Sequence, residues 1–182
     1  MTGSATFDLR RASPADASAI AHVYVNSWRS TYKGLIPGQV LAALNELKQT
    51  RYWWNALCDT TRGGGAVVAE GASQVVGFSA FGSAREDGYS GRGEIYTLYL
   101  LDAYQRCGLG RRLLAASADD MVAAGFSSMC VWVLAGNPAR DFYERFGGIE
   151  LSSRDIGVGG GRLEEICYLW PDLRRLEALE EH

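Results

Sequence analysis

The stretch YQRCGLGRRLL, residues 104–114, places Gly108 and Gly110 one residue apart, with Arg106, Arg111 and Arg112 around them and Leu113-Leu114 following. Such a run can cradle an anion, because first-turn amides and the helix dipole favour negative charge and glycines let it approach the backbone. It can equally be a glycine-loosened entrance to a surface helix with solvated arginines. GLGRRL has Leu113 where GxGxxG needs its third glycine, and no Lys stands at the GxxxxGK[ST] spacing, so both common nucleotide loops are disfavoured. Tyr143, in ARDFYERFGG, carries a phenol able to donate a proton, or simply a ring packing on a short helix. Glu94 opens the run EIYTLYLL as a proton acceptor or a solvated strand-end charge, and Glu86 and Asp87 just before it would attract a cation. Asn137 precedes Pro138 and reads as a ligand-binding amide or a turn residue. Trp28, Tyr32 and Tyr96 suit an amine cation or ordinary core packing.

Other chemistries are poorly supplied. His22 and His182 are the only histidines, which nearly excludes a His-rich metal site or a Ser-His-Asp triad, and His22 reads as structural. Cys58, Cys107, Cys130 and Cys167 show no metal-ligand spacing and are expected as reduced thiols, with Cys107 a tolerated small residue in the glycine stretch rather than a nucleophile. No metal is expected.

The elements that must position these residues follow from pattern. FDLRRA (7–12) alternates as a strand. SPAD then predicts a helix start, with Ser13 at the N-cap and Pro14 at the first helical position, running to about Trp28 or Ser30. GLIPG (34–38) breaks it, and residues 39–58 read as a second helix with Leu41, Leu44, Leu47, Trp53, Trp54 and Leu57 supplying apolar contacts. After GGG (63–65), AVVAE and QVVGFSAFG form a hairpin about a GAS turn, and residues 84–93 are a polar loop. EIYTLYLL (94–101), a helix from about Gly108 to Ala124 capped by Gly125, and SMCVWVL (128–134) make a strand–helix–strand unit with parallel strands. A short helix over 139–146 ends at Gly147-Gly148, and IELSSRDI and RLEEICYLW flank the turn at 157–161. Residues 171–182 are a short helix or a frayed tail. The expectation is one α/β (α+β) domain over residues 1–182, with a mixed, mostly antiparallel sheet of about seven strands and flanking helices.

Composition bounds the partners. At 47% hydrophobic and 21% charged the chain is globular. A net charge of −3 and pI near 5.4 argue against nucleic acid. No apolar run reaches the roughly 18 residues of a membrane span, and the first residues lack the order of a signal peptide. A cytoplasmic protein without membrane or nucleic-acid partners is expected.

QRCGLG (105–110) resembles the (R/Q)-x-x-G-x-(G/A) acetyl-CoA signature of the Gcn5-related N-acetyltransferase (GNAT) superfamily, and the likeness extends along nearly the whole chain. EIYTLYLLDAYQRCGLGRRLL resembles that family's fourth strand, pyrophosphate loop and third helix. CVWVLAGNPARDFYERFGG resembles its fifth strand and the N-x-x-x-x-x-Y-x-x-x-G segment, and SWRSTYKGLIP resembles the first two helices of a bacterial subgroup that includes polyamine-type acetyltransferases.

The resemblance implies an acetyl-CoA-dependent N-acetyltransferase in which the two parallel strands splay and a strand bulge opens the cofactor slot. Backbone groups of Leu98 and Leu100 would pair with the pantetheine arm, and amides from Gln105, Arg106, Cys107, Gly108, Leu109, Gly110 and Arg111 would hold the pyrophosphate. Asn137 would bond the arm. Tyr143 would protonate the leaving thiolate, and Glu94, directly or through water, would take a proton from an alkylamine whose pKa lies near about 10.4. Trp28, Tyr32 and Tyr96 would line the cleft for a small-molecule amine, polyamine-like acceptors being favoured. Protein N-termini or lysines are the alternative acceptors, and a non-catalytic acyl-CoA sensor is the alternative of another class. Homodimers recur in the superfamily.

Overall fold

The computed structural model describes residues 6–59 and 64–177. Seven strands form one sheet: β1 (Phe7–Arg11), β2 (Gly65–Gly71), β3 (Gln74–Ser83), β4 (Gly93–Leu100), β5 (Met129–Leu134), β6 (Ile149–Val158) and β7 (Gly161–Trp170). Their spatial order is β1-β2-β3-β4-β5-β7-β6, and only the β4–β5 pair is parallel. Helices α1 (Ala17–Thr31) and α3 (Glu46–Cys58) cover one face and α4 (Leu109–Ala123) the other. Helix α2 (Gly38–Ala42), α5 (Ala139–Arg145) and α6 (Arg174–Glu177) are short. Among the described residues no helix is long and apolar enough to cross a membrane.

Strand β2 shows how the layers close. Ala66 and Val68 pack with Ile20, Val23 and Trp53, whereas Val67 and Ala69 join Leu113, Leu114 and Met121 of α4. Both faces are buried, so AVVA is continuously apolar rather than alternating. Each fully buried leucine in this layer contributes roughly 2 kcal/mol of transfer free energy.

The strand–helix–strand unit carries the feature that positions the site. Pairing of β4 with β5 covers Gly93↔Met129, Glu94↔Cys130 and Ile95↔Val131 and then stops. Both strands continue against their other neighbours, β4 to Gly77↔Leu100 and β5 to Leu134↔Glu165, so the sheet opens between them. A bulge starts the divergence. Ala80 faces Thr97 and Phe81 faces Ile95, leaving Tyr96 as the extra residue in β4.

The long helix expected over 39–58 is instead two. Asn45 lies in extended backbone and its side chain accepts from the Lys48 amide, which is an N-cap and restarts the helix at Glu46. Leu47 and Trp54, expected to supply apolar contacts, are exposed, because Trp53 takes the buried position of α3. The first helix opens through a 3-10 turn (Pro14–Asp16) and extends to Thr31, one residue past the expected end. Gly125, at φ +93, closes α4 as expected, with the Phe126 amide reaching the Met121 carbonyl. Of the GGG run, Gly63 lies outside the described residues, as does the tail beyond Glu177 with His182. His22 is exposed on α1 beside Glu46 at 3.2 Å.

The helix entrance is also locked electrostatically. Arg10 donates to both Asp16 oxygens at 2.9 and 2.7 Å, and the Ser13 amide and hydroxyl donate at 2.7 and 3.0 Å. These bonds, led by Arg10, hold the Asp16 carboxyl at about 2 against an ordinary 3.8. A depressed folded-state pKa stabilises above the unfolded value and loses that contribution as pH falls toward 2. Arg10 is 40% exposed, so solvent screening leaves about 1 kcal/mol. Urea unfolding at pH 6 and pH 2.5 should show that Asp16→Asn is less stable than wild type at the higher pH, with the gap closing at the lower. An equal gap at both values would remove Asp16 from the acid sensitivity.

Candidate active site

The opening between β4 and β5 is bounded by backbone. The Leu101 amide bonds Val76 of β3, so by strand alternation the polar groups of Leu98 and Leu100 point away from β3, toward the gap. The Leu100 carbonyl already accepts from Ser27 Oγ at 3.1 Å and Gln105 Nε2 at 3.2 Å, which ties α1 and the glycine stretch to the end of β4.

After β4 the chain makes one 3-10 turn (Asp102–Tyr104) and enters the loop. Arg106 has φ +59 and Gly108, the N-cap of α4, has φ +82. Left-handed residues re-aim the backbone N–H groups beside them, and turns of this kind can form an anion-binding concavity. The first-turn amides of α4 add to it, since they have no intrahelical acceptor. A Cβ on Gly108 would meet nothing within 4 Å, so its glycine serves backbone conformation. Gly110 differs: a Cβ there would come within 3.3 Å of Phe142, so it admits α5. Leu109 sends its side chain into the core and contributes only backbone. The Cys107 thiol is exposed and bonds the Tyr104 carbonyl at 3.0 Å, and Arg112 donates to the Phe7 carbonyl at 3.0 Å, tying one of the three arginines to β1.

Across the gap, Asn137 is buried and its Oδ1 accepts from the Ala139 amide at 2.9 Å, opening α5. Its side chain also lies near enough to Tyr32 to offset a little of the burial that raises that phenol. The turn reading and the binding reading of Asn137 therefore involve different atoms. Tyr143 is 6% exposed and its ring packs against Phe142, Tyr168 and Trp170. Helix α5 ends with the Gly148 amide on the Tyr143 carbonyl at 2.9 Å and the Gly147 amide on the Glu144 carbonyl at 3.1 Å, a Schellman closure with Gly147 left-handed. Burial, then neighbouring Tyr32, pushes the Tyr143 phenol well above its ordinary value. The hydroxyl thus stays protonated at any working pH.

Glu94 is not a solvated strand-end charge. Its side chain is 2% exposed and is gripped by Arg85, whose backbone amide donates to Oε2 at 2.9 Å and whose Nε donates to Oε1 at 3.0 Å, with Nη2 adding a third bond. Arg85 lies over the Tyr96 ring at 4.8 Å, and the Tyr96 hydroxyl bonds the Ser83 carbonyl at 2.6 Å.

Beside these residues is a cleft of about 1180 Å³. Its wall includes a run of rings: Tyr24 stacks on Trp28 at 5.2 Å, Trp28 meets Tyr32 at 4.9 Å and Tyr24 meets Tyr99 at 5.7 Å. The Tyr32 and Tyr99 hydroxyls lie 3.0 Å apart, and burial raises both phenols. Glu165 of β7 also lines the cleft, and both of its bonds from Arg154, at 3.0 and 2.9 Å, fall on Oε2.

Sequence reasoning thus names residues that converge here: the glycine stretch, Leu98, Asn137 and Tyr143 around the opening, and Trp28, Tyr32 and Tyr96 in the cleft. It missed Arg85, Tyr99 and Glu165. The signal for Glu165 was present, as an acidic residue within the apolar strand RLEEICYLW. Arg85 had none, being one charge in a polar loop.

The model of the acetyltransferase (GNAT) family matches residues 22–148. The uncharacterized N-acetyltransferase YuaI of Bacillus subtilis (strain 168) is 37% identical over 171 residues, covering 94% of this chain and 96% of that protein. The crystal structure of the PaiA N-acetyltransferase from Thermoplasma acidophilum in complex with coenzyme A superposes with a TM-score of 0.71 at 20% identity, covering 88% of this chain and 98% of the other. YncA, a putative acetyltransferase from Salmonella typhimurium solved with its cofactor acetyl-CoA, gives a TM-score of 0.69 at 23% identity over 92% and 94% of the two chains.

Proposed function

The chain belongs to the acetyltransferase (GNAT) family and is an N-acetyltransferase, and from that premise we propose that it moves the acetyl group of acetyl-CoA directly onto the primary amine of a small molecule. The observation carrying this reading is the opening between β4 and β5 beside the glycine loop. It offers an unpaired strand edge at Leu98 for an extended amide-bearing arm, much as a peptide adds to a sheet, and an anion-binding turn one helix entrance away. Coenzyme A has both parts, and two structural neighbours were solved with coenzyme A or acetyl-CoA.

On this reading the amides from Gln105 to Arg111 hold the pyrophosphate and the Asn137 amide group bonds the arm. The Leu98 amide polarises the thioester carbonyl as charge develops on its oxygen. The amine nitrogen bonds the acetyl carbon, the carbon–sulfur bond breaks, and Tyr143 gives its proton to the sulfur. Burial that raises Tyr143 raises a thiol in the same dry site too, so donor and acceptor stay matched. The proton lost by the amine leaves by water in the cleft. That is the route open to Glu94, whose carboxylate is buried against Arg85.

Calorimetry with acetyl-CoA, followed by thiol release with and without primary amines, tests the reading. Saturable binding and amine-dependent release are expected. Binding with no release for any amine would reassign the chain as an acyl-CoA sensor, and release only with peptides would move the acceptor to proteins.

A further inference from the structure

The charges of the cleft are nearly all spent within the protein. Arg11 is paired with Asp120 and Arg85 with Glu94. Glu165 shares Arg154 with Glu86, a group of two carboxylates and one guanidinium with one surplus negative charge. Asp59, the remaining acidic residue of the lining, lies at the C-cap of α3 and has a partner of its own. The aromatic faces divide in the same way. Arg85 covers Tyr96 at 4.8 Å and Arg154 covers Trp132 at 3.9 Å, so the chain's own cations already occupy two ring faces that a cationic ligand would use. Among the described residues no cation covers the Tyr24, Trp28, Tyr32 and Tyr99 rings, and Glu165 lines the same cleft, close enough to Tyr32 that its charge raises that phenol. A polyamine would need several unspent carboxylates spaced along its chain, and among the described residues the charge group beside the aromatic wall has one surplus negative charge, at Glu165 and Glu86.

From this we propose that the acceptor is a monocationic primary amine on an aromatic body, an arylalkylamine, and not a polyamine. The ring lies against Trp28 and Tyr24, and the ammonium approaches Glu165 on Oε1, the oxygen outside the Arg154 pair. Once deprotonated through water, the nitrogen takes the acetyl group as described above. The proposal narrows the small-molecule reading of the acceptor and rests on it.

The test uses the full chain with acetyl-CoA and follows thiol release with tyramine, tryptamine and 2-phenylethylamine against putrescine, spermidine and an alanine-terminated peptide. The arylalkylamines should exceed both polyamines by about tenfold or more in kcat/KM, the order expected of aromatic contact plus one charge. Glu165→Gln should raise the KM for tyramine about tenfold while leaving the Kd for acetyl-CoA unchanged. A polyamine turned over best would overturn the narrowing and leave the small-molecule reading intact. A peptide turned over best, or no turnover by any amine despite acetyl-CoA binding, would overturn both. An unchanged KM for tyramine in Glu165→Gln would remove Glu165 as the ammonium partner.

Discussion

Tyr143→Phe is expected to lower kcat by about a hundredfold or more, the usual contribution of a positioned general acid, with the Kd for acetyl-CoA nearly unchanged. The substitution removes one hydroxyl and leaves the ring among Phe142, Tyr168 and Trp170, so the melting temperature should hold. Because burial raises the phenol, Tyr143 is protonated throughout the working range, and wild-type kcat should show no alkaline loss attributable to it below about pH 10. Steady-state kinetics with stopped thiol detection decides the matter. An unchanged kcat would take Tyr143 out of the reaction and leave it as a packing aromatic.

Gly108→Glu should weaken acetyl-CoA binding by about a hundredfold or more, since like charges brought together at a binding surface cost several kcal/mol. The fold should survive. A Cβ at Gly108 has open space, its left-handed φ of +82 costs a non-glycine residue about 1–2 kcal/mol, and a carboxylate at a helix N-terminus is favourable to the helix itself. That last point is why the effect on binding is large: the new carboxylate lies where the loop amides would hold the pyrophosphate. Gly108→Ala carries the same backbone strain without the charge and should bind within about tenfold of wild type. Calorimetry on the three proteins separates conformation from charge, and wild-type affinity in the Glu variant would end the pyrophosphate assignment.

Both predictions concern features written in short stretches of sequence. A glycine at a helix entrance, an Asn-Pro turn and a Tyr followed by Gly147-Gly148 are local devices whose geometry is set within a few residues. Their structural roles could be read before any fold was known. The seven strands and their order were legible for a similar reason, since each carried its own alternation or apolar run. Where a local signal was weak, the reading slipped. Asn45 is a helix N-cap inside a run that otherwise looks helical, and it divided what was expected to be one helix over 39–58.

Glu94 shows where sequence pattern stops. At the start of EIYTLYLL its isolation suggested a solvated charge or a free base, yet Arg85, from a loop with no periodicity, buries it in an ion pair. Tyr32 and Tyr99 meet across 67 residues, and Glu165 joins the same cleft from β7, beyond the β4–β5 opening. The sequence by itself determined the element order, the glycine-opened helix entrance at Gly108 and the placement of Tyr143 on a closed short helix, because those depend on neighbouring residues. Tertiary structure alone decided that β4 and β5 part after three pairs, that Tyr96 bulges, and which charges in the cleft remain to meet a ligand. Those outcomes depend on strand pairing and on which side chains arrive from distant segments, and no residue's immediate neighbours carry that information.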